Sequence, residues 1–160
     1  YDHKVETAEN GNVSVTLSRE GMVWCGEKKR KIRVQKVLGF PADSAGAVMN
    51  VVYRIENLSR ESADNLWFAP EFNLAFTVPE PELDVPFIGK KHWERSDRHL
   101  HWKMKIDFDQ PADGWVFPLE TVSNSEGGFE KTFQGLVLLT QWRFSLKPGE
   151  TVQKELHFTL

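Results

Sequence analysis

The chain lacks the features that would cross-link it, anchor it in a bilayer or draw it to a polyanion. Cys25 is its only cysteine, so no internal disulfide can form, and a lone thiol suits a reducing compartment such as the cytoplasm. Set beside Trp24 in "GMVWCG", that cysteine reads as a small buried hydrophobe rather than a nucleophile. No apolar run approaches the ~20 residues of a membrane helix, and the N-terminus shows no basic-then-apolar signal pattern. Charge of one sign is not in excess: 20 Lys plus Arg face 23 Asp plus Glu, a net −3 at pH 7, which gives no general pull toward nucleic-acid phosphates. The one basic run, "EKKRKIR" from Glu27 to Arg33, continues into Val34 and Gln35 with apolar and polar residues alternating, as in a strand with one wet face. Position 1 is Tyr1 and not methionine, from which we expect a piece of a longer polypeptide.

What the chain does have is a period of two. Phe68, Phe72, Leu74, Phe76 and Val78 alternate with Ala69, Glu71, Asn73 and Thr77; Leu100, Trp102, Met104, Ile106 and Phe108 alternate with His99, His101, Lys103, Lys105 and Asp107. Met49, Val51, Tyr53 and Ile55 repeat the pattern, as do Val152, Leu156, Phe158 and Leu160, and Val13, Val15 and Leu17. Side chains that switch sides at every residue belong to half-buried strands. Turn chemistry falls at Asn10-Gly11, Glu20-Gly21, Asn57 to Asn65, Pro79 to Pro86, Gln110 to Gly114, Ser123 to Gly128 and Pro148-Gly149. The spacing predicts about nine or ten strands and no helix. A single antiparallel sheet of that width leaves one face bare, so the predicted fold is an all-β, two-layer antiparallel sandwich, one domain over residues 1–160.

Several groups could carry chemistry. Sugar hydrolysis needs two carboxylates facing each other across about 5 to 9.5 Å, and Glu120, Glu126 and Glu130 are the clustered candidates, but their spacing places no two of them in such a pair. His99 and His101 share one face of their strand and could take zinc with a third ligand from His92, Glu94, Asp97 or His157. Lys103 and Lys105 continue that face and repel a cation, so a solvated strand is the better reading, and no metal or other cofactor is expected. Among six tryptophans, Trp102 is in phase with its apolar side. Trp67 points away from the Phe68 side, and Trp93 sits among polar residues in "KKHWERSDRH", so these two are the candidates for an exposed aromatic platform that would pack on a pyranose ring.

The segment "VFPLETVSNSEGGFEKTFQG", Val116 to Gly135, holds a polar centre inside an apolar frame. Ser123, Asn124 and Ser125 bond their own backbone in turns and Gly127-Gly128 permit positive φ. A hairpin turn explains them. Glu120 and Gln134, within the flanking strands, must bond either one another's network or a ligand, because a bare buried polar group costs about 1 to 3 kcal/mol.

This segment, followed by "QWRFSLKPGE", resembles the C-terminal β-domain of the α-amylases and 4-α-glucanotransferases of glycoside hydrolase family 57. "VVYRIENLS" and "FAPEFNLAF" are similar to earlier strands of that domain. The resemblance covers the chain from about Val48 onward. It implies a sandwich of the galactose-mutarotase type, α-1,4-glucans as substrate class, and a retaining reaction run by a Glu and an Asp on a separate N-terminal barrel. That barrel is not in this sequence, so no catalytic residue is carried over, and Glu126 matches a motif residue without being a nucleophile. The implied partners are the catalytic barrel of the same chain and an α-glucan, with no nucleic acid and no membrane. The role implied is that of a non-catalytic accessory domain, with an independent maltooligosaccharide-binding module as the alternative and an epimerase-like enzyme a distant third. The residues expected to line an inter-domain seam or the glucan's path are Glu120, Ser123, Ser125, Glu126 and Gln134, with Trp67 and Trp93 as platforms.

Overall fold

The computed structural model describes residues 1–44, 46–77, 85–125 and 127–160, the side chains of 85 and 125 excepted. Ten strands make up the described residues: β1 (Asp2–Thr7), β2 (Val13–Cys25), β3 (Lys28–Phe40), β4 (Val48–Asn57), β5 (Ala63–Phe68), β6 (Glu71–Leu74), β7 (Val85–Asp97), β8 (Trp102–Ser125), β9 (Gly128–Leu146) and β10 (Thr151–Thr159). All pairings are antiparallel, in the order β1-β2-β3-β4-β10-β8-β9-β5, with β6 along β9 and β7 along β8. No helix of the described residues is long and apolar enough to cross a membrane.

The two layers arise because β8 changes partner midway. Its first part pairs with β10 through Phe108↔Leu156, and its later part pairs with β9 from Asp113↔Gln141 onward. Gln110 to Gly114, which the turn chemistry marks as a loop, is therefore continuous strand. Pro111 has no N–H to give to a ladder, and it stands where β8 leaves one neighbour before meeting the next, so its missing donor costs nothing there. Beyond this point β9 and β10 share only the turn at 147–150, where Gly149 takes φ 73°.

The layers close on one apolar core. Val51, Tyr53 and Ile55 of β4 and Leu156 and Phe158 of β10 join Leu136, Leu138 and Trp142 of β9 in a single buried cluster, although no ladder among the described residues connects β4 to β9. Ring contacts bridge the gap: Tyr53 meets Phe68 at 5.0 Å between centroids and Phe158 meets Phe72 at 5.1 Å. Buried Asn57 ties the layers at one end. Its amide donates to the carbonyls of Glu61 at 2.9 Å and Leu146 at 3.1 Å, and its Oδ1 accepts from Ser59 N at 2.9 Å.

Other expectations shift locally. β2 runs straight through Glu20-Gly21, held by cross-strand ion pairs of Glu20 with Lys31 and Arg33, both at 2.6 Å. The turn falls instead at Gly26, φ 62°, the glycine-first form of a two-residue hairpin. The run from Leu66 is broken at Ala69-Pro70 into β5 and β6; both lie along β9, with Thr140 N donating to Pro70 O at 3.2 Å, so Phe68, Phe72 and Leu74 still face inward. Val78 and most of Pro79 to Pro86 lie outside the described residues.

Candidate functional site

The Val116 to Gly135 segment forms the far ends of β8 and β9, which continue past the sandwich as a two-stranded arm with every described residue of 119–125 and 128–132 exposed. A register shift between Leu119 and Glu120 resets the faces. Opposed pairs Glu120↔Phe133, Val122↔Lys131 and Asn124↔Phe129 then share one side, while Thr121↔Thr132 and Ser123↔Glu130 share the other. Val122, 61% exposed, and Phe129, 82% exposed, lie uncovered on the first side among Glu120, Lys131 and Asn124, and hydroxyls line the reverse.

This arrangement separates residues that the sequence groups together. Glu120 is on the side of Val122 and Phe129 and accepts from Lys131 Nζ at 3.1 Å. Gln134, at the register shift, donates through Nε2 to Thr121 Oγ1 at 3.3 Å on the opposite face, the face that also bears Ser123. Glu120 and Glu130 stand on opposite faces and cannot act as a facing carboxylate pair. Ser125 pairs with Gly128 through the backbone; its side chain, and Glu126 entirely, lie outside the described residues.

The two platform candidates part company. Trp67 is 58% exposed, its Nε1 donates to Gln141 Oε1 at 2.7 Å, and the Arg143 guanidinium lies 4.8 Å from its ring centroid. Trp93 is turned inward and packs on the core, edge-on to Phe76 at 6.2 Å. Its register partner is buried Ile106, and opposed residues share a face, so the polar neighbours in sequence do not decide its environment. Sequence reasoning missed Trp115, which is 44% exposed on β8. The available signal was phase: Trp102 is even and Trp115 odd, which counts as opposite sides only if the strand is continuous through Gln110 to Gly114.

Beside Trp67 a slot of about 580 Å³ opens where β9 and β10 diverge, lined by Gln110, Asp113, Gln141, Trp142, Arg143 and Lys154 next to Pro111. Lys154 is 5% exposed, donates to Gln110 Oε1 and lies 5.7 Å from the Trp142 ring centroid. Burial pushes its ammonium pKa down, partly opposed by the charge of Asp109. The buried Trp142 Nε1 has no hydrogen-bond partner among the described residues.

The histidines do not form a metal centre. β7 ends at Asp97 and β8 begins at Trp102, so His99 and His101 belong to a turn, with His101 at φ 55°, rather than to one strand face. Among the described residues no three His, Cys, Asp or Glu side chains could hold a metal ion. Buried Asp97 organises this turn: its carboxylate accepts from Leu100 N at 2.9 Å, Thr77 N at 2.8 Å and His99 N at 2.9 Å. The Leu100 bond first, then that of Thr77, hold its pKa down at about 2. The exposed face and its slot thus present aromatic rings, amides and balanced charges, which suits binding.

Comparison with known proteins agrees with the architecture. A family model described as alpha-amylase/4-alpha-glucanotransferase, C-terminal, matches residues 1–156. The 4-alpha-glucanotransferase of Thermococcus litoralis is 30% identical over 160 residues, 99% of this chain and 21% of that protein. Alpha-amylase 1 of Dictyoglomus thermophilum is 31% identical over 122 residues, 69% of this chain and 18% of its own length. The chain therefore spans about a fifth of these relatives. The crystal structure of the T. litoralis enzyme superposes with a TM-score of 0.72 at 27% identity, over 98% of this chain and 22% of that one. A candidate aldose 1-epimerase of Escherichia coli K12 superposes at 0.65 with 12% identity, over 99% of this chain and 68% of that one, a likeness of fold alone. With the match running almost end to end, the chain belongs to the family of alpha-amylase/4-alpha-glucanotransferase C-terminal domains.

Proposed function

We propose that this chain is a non-catalytic accessory domain of an α-1,4-glucan-active amylase or glucanotransferase, packed on the catalytic barrel of the same polypeptide and helping to shape its glucan cleft. The β8–β9 arm carries this reading. Two strands alone are at best marginally stable in water, and large apolar side chains left uncovered on them call for a covering surface. Val122 and Phe129 are those side chains, and the named relatives have about four-fifths of their length outside the matched region. The Glu120–Lys131 pair and the hydroxyl side would then rim the seam. The lone thiol suits a cytoplasmic protein.

Amide hydrogen exchange tests this. In the longer chain, amides of 119–125 and 128–134 should exchange at least about tenfold more slowly than in the isolated domain, and the isolated domain should release no reducing sugar from starch. Equal exchange in the two contexts, or starch cleavage by the domain alone, refutes the proposal. A second reading, a module that itself binds maltooligosaccharides, is favoured by one observation: the exposed rings of Trp67 and Trp115 flank polar side chains.

A further inference from the structure

We infer that the outer face of β5, β9 and β8 is an α-glucan-binding platform running from Trp67 to Trp115, with the adjoining slot as its deepest subsite. The inference deepens the proposed function and rests on its glucan substrate class.

Register places the side chains. Trp67 opposes Arg143, Asp113 opposes Gln141, and Trp115 opposes Leu139. Opposed residues share a face, and so do residues two apart along a strand, so Trp67, Arg143, Gln141, Asp113 and Trp115 all stand on one side of three adjacent strands. The two rings are two strand spacings apart across the sheet and four residues apart along it, roughly 17 Å in all. That is the span of a short oligosaccharide, not of one sugar.

The chemistry between the rings suits a neutral polyol. Gln141 and Arg143 fix the Trp67 ring from its edge and one face, through the 2.7 Å bond and the 4.8 Å stack, and more than half of the side chain stays open to solvent. A preset aromatic surface loses little entropy on taking the C–H face of a pyranose. Asp113 uses Oδ1 to accept from Gly89 N at 2.9 Å, which anchors a carboxylate whose other oxygen can accept from sugar hydroxyls. Gln110, Asp113, Gln141 and Arg143 line the slot with amide, carboxylate and guanidinium groups that can meet sugar hydroxyls. The slot's volume of about 580 Å³ lies within the range of small-ligand sites. The carboxylates of Asp113 and neighbouring Asp109 offset the charges of Arg143 and Lys154, which disfavours an anionic ligand.

The test is titration of the 160-residue chain with maltoheptaose, observed through the indole N–H signals of ¹⁵N-tryptophan-labelled protein, with cellohexaose as control. The expected result is shifts confined to Trp67, Trp115 and Trp142, no response to cellohexaose, and affinity weakened roughly tenfold by Trp67→Ala and by Trp115→Ala. Binding that survives both alanine substitutions, an equal response to cellohexaose, or no response at roughly 10 mM maltoheptaose, which corresponds to a Kd too weak to matter, overturns the platform. None of these outcomes touches the accessory role, whose own test is the exchange of the arm and involves no sugar.

Discussion

Phe129→Ala separates a docked arm from one that merely projects. Phe129 is 82% exposed in this chain, so truncating it removes little buried surface. The isolated domain should change stability by no more than about 0.5 kcal/mol, as for other surface substitutions. If the arm lies against a catalytic barrel, that exposed area is what docking removes from water. Full burial of a phenylalanine side chain contributes about 1.5–3 kcal/mol, and the four-fifths still available here comes to about 1.2–2.4 kcal/mol. Lost from the docked state, that energy should speed amide exchange along residues 119–125 and 128–134 of the longer chain by roughly 7- to 60-fold, while the isolated domain's exchange stays within about twofold. Measuring exchange for both forms, with and without the substitution, gives four numbers. Equal acceleration in the two contexts would mean that Phe129 acts within the hairpin itself, and docking through the arm would be refuted.

The fold leads to two further expected outcomes. Asp97 has its pKa depressed to about 2 by backbone donors, so the stabilisation from its charge is complete above the ordinary carboxylate pKa of about 4 and is lost as pH falls through about 2. Thermal melts of wild type and Asp97→Asn should differ most above pH 4 and converge toward pH 2, whereas a constant gap would show that the ionised form is not what the turn requires. Gly135 sits where the end of β6 lies alongside β9, and a Cβ there would come within 2.5 Å of Leu74 O. Because the obstacle is backbone, Gly135→Ala should cost about 1–3 kcal/mol in a urea titration, and a neutral result would mean that β6 can shift away from β9 without loss.

Much of the fold can be read from the chain because a period of two is a local property. Val51, Tyr53 and Ile55 face the core as their spacing requires, and Trp67 faces outward for the same reason. Turn residues mark the hairpin ends at Gly11 and Gly149, where positive φ is needed. The motif residues around Ser123 show that something unusual interrupts the strands there. They do not show that it is a projecting two-stranded arm, because its two faces depend on which residue opposes which across a shifted register.

Alternation determines the side of the sheet on which a residue stands, and the sequence determined that much for β4, β10 and the first part of β8. The tertiary structure alone decided what lies on that side. Trp93 is covered because Phe76 comes from a distant segment to meet it, whereas Trp115 keeps nearly half of its surface open to solvent. The slot exists because β8 trades β10 for β9 near Pro111, a choice between two distant neighbours made by the packing of both layers. A strand's side chains fix their own direction over a few ångströms, whereas strand partners are chosen by contacts between segments far apart in the chain, and no local pattern encodes that choice.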